Sequence, residues 1–169
     1  RNPIKEKVSG SDLFPELCNL AAKRHYTMFF LGAKEGVAVK AAEKLKKIYP
    51  ELEIAGCYAP PLGFENDAKE LKKIETLIKS AKPHILVLAL GCPKQEIIAY
   101  QYRNLFEVPL TLCLGATLDF VAGKVKRAPR WMANAGLEWL YRIYQEPSRM
   151  FRRYVLEDWK FVKLFVKYW

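Results

Sequence analysis

Four short apolar runs punctuate the first two thirds of the chain: residues 26–31 (YTMFFL), 52–58 (LEIAGCY), 84–90 (HILVLAL) and 110–114 (LTLCL). Each is rich in β-branched or aromatic residues and too continuously apolar to alternate, the pattern of strands buried on both faces of a sheet. Between them the hydrophobic period lengthens to that of a helix, over residues 37–49 (VAVKAAEKLKKIY), 67–81 (DAKELKKIETLIKSA) and 94–104 (KQEIIAYQYRN). Strand, helix, strand repetition with these lengths predicts right-handed βαβ crossovers. The expected architecture is a doubly wound α/β fold with a mainly parallel sheet and flanking helices. A further helix precedes the first strand, with Ser11 or Asp12 as its cap and Pro15 and Glu16 in its first turn.

After Gly123 the strand pattern stops, and two helical stretches are predicted over residues 128–145 and 147–169. The chain therefore divides into an α/β core, 1–127, and a helical basic appendage, 128–169. Charge sharpens that division. Of the net charge of +10, most comes from Lys124 onward, where eleven Lys and Arg face four Asp and Glu. The C-terminal third is built to meet something anionic: nucleotide phosphates, a nucleic acid or a lipid surface. In the last stretch Phe151, Val155, Trp159, Val162, Val166 and Trp169 recur at helical spacing, with Arg149, Arg153, Lys160, Lys163 and Lys167 on the other side. A helix so divided is expected to lie in the interfacial plane of an anionic membrane. No apolar run approaches the roughly 18 to 20 residues that span a bilayer, so the expectation is peripheral, not integral. Cys18, Cys57, Cys92 and Cys113 are scattered without CxxC spacing and read as free buried thiols of a reducing compartment.

In an open parallel sheet the ligand lies outside the carboxyl ends of the strands. Those ends are LGAKEG, CYAPPLGFEND, LGCPKQE and LGATLDF, and three open directly on a Leu-Gly turn, at Gly32, Gly91 and Gly115. Glycine there either makes a tight turn or lets the backbone approach an anion, and three such turns on one rim favour the second role. Pro93 suits the first turn of a helix, which brings Lys94 and Gln95 to the same rim, where they suit phosphate or sugar hydroxyls or form a solvated first turn. Asp119 lies one helical turn beyond Gly115, within reach of a ribose diol, or complements a helix dipole. The sequence has no Asp-x-Asp motif, so a departing diphosphate would be met by arginines and helix N-termini without a metal. His25 and His84 have no partner at metal or nucleophile spacing and read as structural.

The blocks VSGSDL, FFLGAKEGVAVKAAEKL, YAPPLGFE, LGCPKQE, LGATLDFVAGKVKRAPRWM and GLEWLYRIYQEPSRMFRRY together resemble the WecG/TagA/CpsF family of bacterial glycosyltransferases, over nearly the whole chain. The resemblance implies an inverting enzyme that moves N-acetylmannosamine, its uronic acid or a hexose. The donor is a UDP-sugar and the acceptor an undecaprenyl-diphosphate-linked sugar. It also implies work at the cytoplasmic face of the cell membrane, on precursors of teichoic acid, enterobacterial common antigen or capsule. Carried over by position, it assigns Gln95 to the active site, Asp119 to the nucleotide pocket, and Arg142, Arg149 and Arg152 to the diphosphate. Family members carry a further segment ahead of the VSGSDL block, whose Asp-Gly turn supplies the proposed general base. That segment has no counterpart here, so an N-terminally incomplete chain is expected, and Lys7 stands where many relatives have arginine. The expected partners are the donor, the lipid-linked acceptor, an anionic membrane and a second copy of the chain. No cofactor and no nucleic acid are expected. Two other readings compete: a non-catalytic nucleotide-binding remnant of the family, and a basic nucleic-acid-binding module suggested by cations interleaved with Trp and Tyr. A nicotinamide-binding oxidoreductase is a weaker reading, since no GxGxxG follows any strand.

Overall fold

The computed structural model describes residues 9–129, 131–132, 135–145 and 147. In chain order these form α1 (Gly10–Arg24), β1 (Met28–Gly32), α2 (Val37–Ile48), β2 (Ile54–Tyr58), a 3-10 turn (Phe64–Asn66) and α3 (Ala68–Ala81). There follow β3 (Ile85–Ala89), α4 (Lys94–Gln101), α5 (Arg103–Phe106), β4 (Leu110–Cys113), α6 (Thr117–Ala122) and α7 (Glu138–Gln145). The strands pair in parallel throughout, in the order β2-β1-β3-β4, which is the doubly wound α/β sheet the sequence predicts.

Alternation along the two central strands builds two cores. Met28 and Phe30 of β1 with Ile85, Val87 and Ala89 of β3 face α1, α2 and α6, whereas Phe29, Leu31, Leu86 and Leu88 face α3, α4 and α5. The α2 crossover steps from β1 to β2, and the α3 and α4–α5 crossovers step the opposite way across the sheet. Helices that cover opposite faces when the chain steps in opposite directions share one hand, as twisted parallel strands require.

Four expectations are corrected. Complete burial holds for β1 and β3 but not for β2 and β4, which are half-open because they are the sheet edges. The α1 cap is Ser9, not Ser11 or Asp12: its carbonyl accepts from the N–H groups of Asp12 and Leu13, both at 3.0 Å. Pro15 thus lies deeper than the first turn. The helix expected over 94–104 divides at Tyr102, where the Arg103 guanidinium donates to the Tyr100 carbonyl at 2.6 Å and competes with the backbone ladder. The continuous helix expected over 128–145 is interrupted by Gly136 at φ +73°, and Leu137 N–H turns back to the Met132 carbonyl at 2.8 Å.

Contacts divide the chain into two units, residues 1–124 and 125–169. In the second, the Gln145 amide clasps the backbone of Lys126, accepting from its N–H at 2.9 Å and donating to its carbonyl at 2.7 Å. Trp139, Leu140 and Tyr144 of α7 are exposed. Apart from Pro147, the stretch 147–169 lies outside the described residues, as do the tail residues Arg153, Trp159, Lys160, Lys163, Val166, Lys167 and Trp169. Among the described residues no helix is long and apolar enough to cross a membrane.

Candidate functional site

Because β1 leaves toward β2 and β3 leaves toward β4, the chain reverses its lateral direction between the two central strands. In open α/β sheets that reversal opens a crevice at the carboxyl ends, where ligands bind. Here the two strand ends are stitched together: Ala33 N–H donates to the Ala89 carbonyl at 2.8 Å. Gly32 sits at φ +111°, and a Cβ on it would stand 2.6 Å from the Ala89 carbonyl oxygen. Only glycine satisfies both the backbone angle and that approach.

Gln95, in the first turn of α4, is 5% exposed, and with Thr117 it is one of two buried polar side chains among the described residues. Its Oε1 accepts from Gly115 N–H at 3.0 Å and its Nε2 donates to Glu96 Oε1 at 2.8 Å. One amide therefore ties the turn after β3 to the turn after β4. Thr117 Oγ1 braces the second turn by donating to the Leu114 carbonyl at 2.7 Å. The Gly91 carbonyl accepts from Gln95 N–H at 2.9 Å, and Pro93 takes the position that caps α4, one residue ahead of the helix. Open space surrounds Gly91 and Gly115 where a side chain would begin. Asp119 lies in α6, half-buried, and its carbonyl receives Lys124 N–H at 2.9 Å.

Lys94 is engaged within the chain. Its ammonium pairs with Glu65 Oε1 from the 3-10 turn after β2 and lies 5.6 Å from the centre of the Phe64 ring. The hydrogen bond from Lys94, helped by Glu65's own backbone N–H, holds the Glu65 carboxyl below the usual carboxylate range. Sequence reasoning recognised the GFEND segment as a strand end but did not single out Glu65. Its acidity at a rim was the available signal, but its partner lies far along the chain. Tyr58, at the end of β2, was likewise missed. Its hydroxyl donates to Glu70 Oε1 and accepts from Lys73 Nζ at 2.5 Å, which fixes the start of α3 to the sheet edge.

The four cysteines are free, as expected. Burial pushes the Cys18 thiol up to about 12 and the Cys57 thiol up to about 11. Cys92 is exposed, contrary to the buried reading, because it stands in the turn after β3 and not in the strand. The Cys113 thiol is pushed up first by burial and then by the Glu96 carboxylate and Cys92. Among the described residues no group of three or more His, Cys, Asp or Glu is arranged to hold a metal ion. Arg142 belongs to the second unit, where its guanidinium meets Glu138 Oε1 at 3.5 Å. Arg149 and Arg152 lie outside the described residues.

The strand order makes this a doubly wound α/β protein with a topological switch point between β1 and β3, the place where ligands bind in such folds. More narrowly, it belongs to the Glycosyl transferase WecG/TagA/CpsF family, whose model matches residues 1–169. Two relatives carry the name N-acetylglucosaminyldiphosphoundecaprenol N-acetyl-beta-D-mannosaminyltransferase. The protein of Bacillus spizizenii is 35% identical over 147 residues, covering 87% of this chain and 55% of the relative. That of Bacillus subtilis is 36% identical over 148 residues, covering 88% and 56%. The chain thus spans about half the length of the curated relatives it matches.

Proposed function

We infer that this chain carries the donor-binding part of an inverting glycosyltransferase. It moves an N-acetylmannosamine-type sugar or a hexose from a UDP donor to an undecaprenyl-diphosphate-linked acceptor. The supporting observation is the Gln95 amide, buried yet committed to the Gly115 N–H, which locks two glycine turns into one rim beside the β1/β3 crevice. Polar groups held in this way are pre-organised, and ordering them before the ligand arrives reduces what binding must supply. The relatives' names contribute the sugar and the lipid-linked acceptor.

In this reading Gly91 and Gly115 admit the nucleotide to the backbone, Gly32 makes the tight turn that seats the β1 end against Ala89, Asp119 accepts from the ribose or sugar hydroxyls, and Pro93, Lys94 and Gln95 form the wall beside the phosphates. Arg142, Arg149 and Arg152 neutralise the leaving diphosphate without a metal, by bidentate hydrogen bonding. The basic tail brings the enzyme to the inner face of the membrane, where a polyprenyl acceptor keeps its diphosphate. Calorimetry decides the donor assignment: UDP should bind, and Asp119→Ala should weaken it about tenfold, the loss of one good hydrogen bond of about 1.4 kcal/mol. Unaltered affinity in that variant would remove Asp119 from the pocket.

A further inference from the structure

Lys94 and Glu65 come from different strand-end turns, one after β3 and the other after β2, yet their charges meet. β1 lies between those strands in the sheet, so the pair joins the turns that follow its two neighbours. The two side chains are 33% and 31% exposed, which leaves the ammonium approachable by an anion from outside. Glu65 is engaged through Oε1, while Oε2 is enclosed and accepts no hydrogen bond among the described residues. A lysine whose ammonium is occupied by a carboxylate has fewer donors and less charge to offer a diphosphate. Lys94 is therefore held in a neutralised form.

We propose that Glu65 is an internal competitor for the diphosphate of a nucleoside diphosphate ligand: it holds Lys94 in the ligand-free chain, and binding exchanges the carboxylate for phosphate oxygen on Lys94 Nζ. The proposal rests on the nucleotide-sugar reading above and adds to it a residue that sets the affinity. The exchange makes and breaks hydrogen bonds only. An ammonium suits it, being a compact charge with three donors on a flexible stem, with none of the fixed fork of a guanidinium. The alternative role for the same pair is a brace between the two turns, and the two roles differ in sign. Deleting a brace loosens the rim and weakens binding; deleting a competitor strengthens it.

Calorimetry on the full 169-residue chain separates them, with UDP and uridine as probes. Glu65→Gln should bind UDP about fivefold tighter, the equivalent of one partly exposed ion pair, and uridine unchanged. Lys94→Met should weaken UDP binding, and the double variant should bind no tighter than Lys94→Met alone. Glu65→Ala provides a second removal of the carboxylate, and circular-dichroism melting establishes that each variant is folded. If folded Glu65→Gln and Glu65→Ala bind UDP as the parent does, or more weakly, the pair is a brace and the proposal is overturned. A gain that persists in the Lys94→Met background overturns it too, since simple repulsion by Glu65 then suffices. A parent chain that binds no UDP sinks the nucleotide-sugar reading and this proposal with it.

Discussion

At Gln95 the amide oxygen meets the Gly115 N–H and the amide nitrogen meets the Glu96 carboxylate, in a position almost closed to water. Truncation there strands a backbone donor that solvent reaches poorly. Gln95→Ala should lower the unfolding free energy by about 1–3 kcal/mol, the cost of leaving one buried polar group unmet. It should also weaken UDP, because the turn at Gly115 loses the group that positions it. Urea titration together with calorimetry checks both. A variant as stable as the parent would show that Gly115 N–H finds another partner. The residue scale is also where the sequence left alternatives open. Lys94 read equally as a ligand for phosphate or sugar hydroxyls and as part of a solvated first turn, and only the structure shows its ammonium paired with Glu65 from another turn.

Among the elements, the β1–β2 pairing depends on an absence. Gly56 of β2 stands opposite Phe29 of β1, and a Cβ there would come within 2.5 Å of the Phe29 ring. The ring is 3% exposed and belongs to the core under α3, so it has little room to retreat. Gly56→Ala should therefore destabilise the chain by roughly 1–3 kcal/mol, as overpacking does, seen as a lower urea midpoint with an unchanged slope. An unshifted midpoint would mean that the edge strand gives way freely. Capping was only partly legible at this scale. Asp67 accepts from the N–H groups of Lys69 and Glu70 and so caps α3, at the residue where the sequence expects that helix to begin. The α1 cap was misplaced because Ser9, Ser11 and Asp12 are all good caps by type. Tertiary contact distinguishes them: Gly10 packs so close to Leu114 that a Cβ would lie 3.1 Å from its side chain.

For the whole molecule, the residues described in the two hydrophobic core clusters all belong to the first unit, and the last of them is Ala122. A chain ending at Lys124 should keep its helical and strand signature by circular dichroism and melt in a single cooperative transition. A broad, non-cooperative melt would show that residues 125–169 contribute to the core. The sequence placed the boundary after Arg127, at the end of the GKVKR run, whereas contacts divide the chain after Lys124. Composition marks where charge accumulates, and contact marks where packing ends.

The order of elements, the parallel sheet and the carboxyl rim were all fixed by the spacing of apolar runs, because crossover length and strand twist leave few ways to join them. The glycines of the three Leu-Gly turns were visible for the same reason, since turn chemistry is local. What only the tertiary structure decided is which side chains meet across that rim. The Gln95 amide finds Gly115, and Lys94 finds Glu65, over separations along the chain that no periodicity encodes. Burial of the central strands but not of the edges likewise follows from strand order, a property of the assembled sheet and not of any one segment.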